Sequence, residues 1–178
     1  MIIQNLASRV RLHRDIPLTE IGQYPDLAAA LQSWQMSDGC PSNTFRAPRI
    51  VDPMNLPKPL LPYVMLLDLE GDMERRPSLR VRLAGTYVCD KYGGEMKGRT
   101  TDDFFAPDDA RHVVDSALTV ARLGIPSLAE RQYINLDGGL WSYVRLIAPL
   151  SRDGQRIDGF FKVLDPATLS QCGVSEIA

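Results

Sequence analysis

The strongest constraint on this chain is the order of patterns between residues 63 and 164: two strand-like runs, a helical insert, then three more strand-like runs. Tyr63-Val64-Met65-Leu66-Leu67-Asp68-Leu69 reads as a buried strand. A polar turn from Gly71 to Pro77 follows. Leu79, Val81 and Leu83 then alternate with Arg80, Arg82 and Ala84, the period-two signature of a half-buried strand. The two runs predict an antiparallel hairpin. After a short helical and loop region at 85–105, Pro107-Asp108-Asp109 opens a helix with the stripe Val113, Val114, Ala117, Leu118 and Ala121. Its acidic first turn suits the helix dipole, and Gly124 and Pro126 end it. Three strands follow at 128–136, 140–150 and 157–164, separated by Asp137-Gly138-Gly139 and Arg152-Asp153-Gly154. This order predicts an α+β fold, a five-stranded antiparallel sheet with helices on one face.

Ahead of the sheet, Leu27, Leu31 and Trp34 recur at helical spacing with Ala28 and Ala30 beside them, which predicts a helix over 25–37 closed by Asp38-Gly39. Pro41, Pro48, Pro53, Pro57, Pro59 and Pro62 then punctuate a connector that can form neither a regular helix nor a central strand. Phe45, Ile50, Val51, Met54 and Leu56 favour an arm lying over the core, with a free linker as the alternative. The first two dozen residues show no clear period, and the tail from Asp165 forms a short helix or frays. The chain therefore divides into an extension at 1–24, a main domain at 25–164 and a tail at 165–178.

A formal net charge of -2, with both signs mixed along the chain, gives no basic surplus for nucleic acid. Glu74 to Arg82 is the densest basic stretch, and its alternation reads as a solvated strand face. Cys40, Cys89 and Cys172 are odd in number and widely spaced, without metal-ligand spacing, so neither disulfides nor structural zinc are expected. No apolar run has the length of a signal peptide or a membrane span, so the expected location is cytoplasmic, with no membrane partner.

The order and spacing of several pieces resemble the PAS-like family widespread in alphaproteobacteria, often short proteins without an attached output domain. The pieces are the Trp34 helix before Pro48-Arg49-Ile50-Val51-Asp52-Pro53, and Leu60-Leu61-Pro62 leading into the first strand. Then come Val81-Arg82-Leu83-Ala84-Gly85-Thr86, Gly94-Glu95-Met96-Lys97-Gly98-Arg99, and Tyr143 through Arg145 to Ala148-Pro149-Leu150-Ser151 with Asp153-Gly154. Lys97 departs from the smaller polar residue expected in that loop. The resemblance implies a five-stranded sheet cupping helices around a small cavity, in a module that senses a ligand, cofactor or partner and often dimerises.

Candidate ligand-binding residues are Tyr133, Trp141, Tyr143, Arg99 and Cys89. Trp141 and Tyr143 alternate on one strand with Tyr133 on its partner, and such aromatics either line a cavity or fill a core. Arg99 presents a planar fork suited to an anion, or pairs with Asp102 or Asp103. Cys89 lacks the setting of a flavin-adduct cysteine and reads as a small buried hydrophobe. The glycines at 93–98 read as turn geometry, lacking any nucleotide-binding spacing. His112, at the flank of its helix, reads as a surface histidine in preference to a haem ligand, and His13 has no obvious partner. Phe160 and Phe161 point to opposite faces, so one of them, with Val144, Leu146 and Ala148, forms an outer apolar patch or is covered by the N-terminal arm.

No catalytic residues, metal site or cofactor are expected. The leading expectation is a sensory module that binds a small molecule, and forms a homodimer or engages a signalling partner. The alternatives are an adaptor with a filled core and, more distantly, a small enzyme using a PAS-like cavity.

Overall fold

The computed structural model describes residues 9–37, 47–72, 74–135 and 138–172. Expectations for Cys40, Phe45, the turn at Asp137 and the last six residues lie outside them. The hairpin falls where alternation places it, as β2 (Val64–Asp72) and β3 (Arg76–Ala84). The strands run further into the turn than their apolar residues indicate. Pro77 is within β3 opposite Gly71, a position open to proline because β3 is an edge strand. Gly71 has φ +86°, and Asp72 Oδ1 accepts from the amides of Glu74 and Arg75 to close the turn.

Short helices α2 (Thr86–Lys91) and α3 (Thr101–Phe104) follow, then the long helix α4 (Pro107–Leu123). A capping box between Thr100 and Asp103 starts α3. Gly124, at φ 61°, ends α4 by donating its amide to the Val120 carbonyl. The last three expected strands are β4 (Ser127–Ile134), β5 (Leu140–Leu150) and β6 (Gly159–Leu164).

Two further strands enlarge the expected five-stranded sheet. Arg9–Ile16 is β1, paired antiparallel along β4, and Ser170–Cys172 is β7, paired with the start of β5. The described strands form one antiparallel sheet in the order β1-β4-β5-β6-β2-β3, with β7 beside β5. As far as residue 172, the tail forms a 3-10 turn at Pro166–Thr168 and a strand where a short helix or fraying was expected.

Each face of the sheet has its own core. On the inner face α2, α3 and α4 pack over Met65, Leu67, Val81, Tyr133, Trp141, Tyr143, Ile147 and Phe160. On the outer face helix α1 (Pro25–Gln35) brings Leu27, Ala30, Leu31 and Trp34 onto Val144, Leu146, Ala148, Phe161 and Val163. Trp34 locks this contact by donating its indole N–H to the Pro149 carbonyl at 2.8 Å. Ser33 donates to the Asn55 carbonyl at 2.6 Å, which ties the proline-rich arm to the same helix.

The arm is packed, as its apolar content indicates, but through Val51, Leu56 and Leu60; Ile50 and Met54 face outward. Phe160 and Phe161 do point to opposite faces, and both are buried because each face is covered. No outer apolar patch is left around Val144, Leu146 and Ala148.

Candidate functional site

Side chains on alternate positions of a strand share a face, and antiparallel register puts cross-strand neighbours side by side. On the inner face this parity gathers polar residues among the aromatics. His13 on β1 lies opposite Arg131 on β4, which lies opposite Tyr143 on β5. Arg145 lies opposite the small, buried Ala129 on β4, and Lys162 on β6 lies opposite Ile147 and Met65. Arg131 is 3% exposed and Arg145 1%.

Both guanidiniums meet hydroxyls. Arg131 Nη2 donates to Ser116 Oγ on α4 at 2.7 Å, and Arg145 Nη2 donates to the same oxygen at 3.1 Å. Arg145 Nη1 donates to the Ser127 carbonyl at 3.0 Å and to its Oγ at 3.3 Å. Nη1 of Arg131 is buried without a partner. Among the described residues no carboxylate forms an ion pair with Arg131, Arg145 or Lys162. Burial, reinforced by Arg145 and Arg131, pushes the Lys162 ammonium down to about 7, and its Nζ lies 5.8 Å from the Tyr143 ring centroid. Burial and Arg131 also lower the proton affinity of Arg145, yet a guanidinium stays charged at neutral pH.

The three aromatic candidates come together. Ring centroids are 4.7 Å apart for Trp141 and Tyr143, and 5.9 Å from Tyr133 to each. Tyr92 and Phe105 extend the cluster, and Lys91 of α2 lies 5.1 Å above the Trp141 ring. Burial drives the Tyr143 and Tyr92 hydroxyls upward, so both stay protonated. Cys89, on α2, is half-buried, packs against this core and directs its thiol to the Ala84 carbonyl at 3.6 Å.

Arg99 is placed elsewhere, beside edge strand β3, where its carbonyl accepts the Val81 amide. It makes no ion pair with Asp102 or Asp103 among the described residues, because Asp103 Oδ2 instead receives the backbone amide and hydroxyl of Thr100. The basic strand face, expected to be solvated, is also ion-paired: Arg80 donates to Glu70, while Arg82 and Arg152 meet Asp68.

Next to the cationic cluster a groove of about 400 Å³ opens between α4, β1 and β4. Ser116 and Ser127 form part of its wall. The rest is largely apolar, with Leu18, Leu123, Ile125 and Pro126, while Asp15 and Asp115 are its exposed acidic members. His13 does have partners here. Its Nε2 is 3.0 Å from Asp15 Oδ1, and its Nδ1 is 3.2 Å from Nε2 of the exposed His112. Burial, then Arg131 and Arg145, push the His13 imidazole down to about 4, against the pull of Asp15. Neutral His13 therefore donates from Nε2 to Asp15 and accepts at Nδ1 from His112.

Arg131, Arg145, Lys162, Ser116 and Ser127 are absent from the sequence-derived candidates. Strand parity carried a signal: Arg131 shares its face with Tyr133, Arg145 with Tyr143, and Lys162 with Phe160.

The helix-covered, curled antiparallel sheet and polar inner face describe a module that encloses side chains with chemistry, in the manner of small sensory domains. A sequence profile of the PAS domain family matches residues 25–164, and the chain belongs to that family. No curated protein and no solved structure matches it. Among the described residues no helix is long and apolar enough to cross a membrane.

Proposed function

We propose that this chain is a sensory and signalling module that binds a small molecule on the inner side of its sheet and carries out no chemical step. The observation that carries this reading is the buried charge of Arg131 and Arg145, which among the described residues has no ion-pair partner. A buried cation without a paired carboxylate destabilises the fold, so a core with only a structural role gains by replacing it with an apolar residue. Retention of two such groups is accounted for by a ligand that supplies the missing partner. In this reading Tyr133, Trp141 and Tyr143 form a rigid floor beside the site, and Cys89 on α2 senses its packing. Arg99, on the opposite sheet edge, takes part in ligand or partner contact from its loop. Residues 25–164 form the working module, with β1 and β7 extending its sheet.

The response passes to a second copy or a partner protein. A second reading, an interaction adaptor with a filled core, is favoured by the ring-on-ring packing of Trp141 with Tyr143 and by exposed Leu61 and Leu83 near edge strand β3. Native mass spectrometry of freshly purified protein, compared with its denatured mass, separates the two. A non-covalent adduct supports the sensor, and a bare dimer that no small molecule stabilises supports the adaptor.

A further inference from the structure

We propose that the groove between α4, β1 and β4 binds a small aliphatic monocarboxylate, with its carboxylate on Ser116 and Ser127 and its chain on Leu123, Ile125 and Leu18; this inference rests on the sensor reading. The fork of Arg145 reaches one serine hydroxyl with each of its two Nη atoms. A guanidinium fork matches the oxygen spacing of a carboxylate, so the two hydroxyls it holds present a matching pair of positions. Ser116 Oγ already accepts from both Arg145 and Arg131. Its proton is therefore directed away from them, and among the described residues it donates to no acceptor. A hydroxyl on a helix often donates to the carbonyl four residues back, as Thr119 does to Asp115 in α4 itself. Ser116 instead offers a donor polarised by two cations at the groove wall, and chains of this kind strengthen one another at low dielectric.

The rest of the groove sets the ligand's other properties. Leu123 is 58% exposed and Ile125 48%, two large apolar side chains open to solvent beside a polar wall. An aliphatic chain would cover both. The volume of about 400 Å³ is that of a small-molecule site. Asp15 and Asp115, exposed on the same groove, repel a second negative charge, which selects a monoanion over a dicarboxylate or a phosphate. His13 is neutral and adds no countercharge of its own.

The test titrates purified protein at neutral pH with octanoate, and with octanol, octylammonium, succinate and inorganic phosphate as controls, reading calorimetry and melting temperature. Octanoate is expected to bind saturably and raise the melting temperature, while the four controls do neither. Ser116→Ala is expected to weaken octanoate about tenfold or more, the loss of one charge-assisted hydrogen bond. Because that change also strips an acceptor from two buried arginines, Leu123→Asp at the exposed rim provides a second variant. It is expected to keep the melting temperature of the free protein and lose octanoate binding.

Equal stabilisation by phosphate or succinate would overturn the monocarboxylate assignment, and octanoate binding unchanged in both variants would overturn the groove. If native mass spectrometry shows an uncharged or cationic adduct while octanoate does not bind, the sensor reading stands and this inference fails. If no adduct and no binding appear, both fail.

Discussion

The two faces of the sheet are built from the same strands yet follow different rules. On β5, Val144, Leu146, Ala148 and Leu150 face the outer core, which is predominantly apolar and sealed by α1 and the proline-rich arm. Tyr143 and Arg145 face the inner side, where hydroxyls, two guanidiniums and an ammonium share space with aromatic rings. The outer face is held together by apolar packing, with Asp165 buried at its margin. The inner face holds two guanidiniums that form no ion pair among the described residues, and the proposed ligand site rests on that difference. The outer face of the sheet itself is already occupied by α1.

That contrast can be broken at several points. The largest effect is expected for Trp34→Ala, which removes a buried indole and its bond to the Pro149 carbonyl. It should cost about 3–5 kcal/mol in denaturant unfolding. A loss below 1 kcal/mol would mean that α1 is only loosely applied and the outer face is available after all. Leu146→Ala, on the same face, should cost about 2–5 kcal/mol by leaving a cavity.

The next effects are read in the pH dependence of stability. Lys162 titrates near 7 in the folded chain against 10.5 when unfolded. Between those values the unfolded chain holds a proton that the folded chain has released, so stability rises with pH across that window. Lys162→Met should flatten this rise, and an unchanged slope would show the ammonium to be solvated.

His13 acts at lower pH. Its folded value of about 4 lies below 6.5, so stability falls as pH drops through that interval, and His13→Gln should remove that part of the acid loss.

The smallest change is expected for Arg145→Met, next to Leu146 in sequence but facing the opposite way. Exchanging an uncompensated buried charge for an apolar chain of similar length should be neutral or stabilising by about 1 kcal/mol. A loss of several kcal/mol would make the two faces energetically alike and remove the main support for a ligand.

Much of the architecture was legible because alternation is a local signal. Leu79, Val81 and Leu83 mark β3 without reference to any other segment, and Gly124 and Pro126 stop α4 by their own backbone chemistry. The strand Arg9–Ile16 was not legible. In Arg-Val-Arg-Leu-His-Arg-Asp-Ile the apolar positions Val10, Leu12 and Ile16 are interrupted by Arg14, a bulge after Val10 changes the face, and the segment becomes a strand by pairing with β4. The covering of the outer face was equally hidden, since the exposure of Phe161 depends on where α1 lands.

For the candidate site, sequence identified the aromatic trio, which the sheet register brings together. It missed the cations around them. Arginine in a strand normally marks the solvent face, as Arg80 and Arg82 do with their carboxylate partners. Arg131 and Arg145 obey the same local pattern but sit under α4.

Periodicities, turns and family could be read from the residues alone, because backbone geometry and side-chain polarity act within a few residues. Which side of the sheet is covered, and by what, followed from the packing of distant segments. Burial, and with it the energetic weight of a charge, is set by segments as far apart as Ser116 and Arg145 or Trp34 and Pro149, whose meeting no local pattern records.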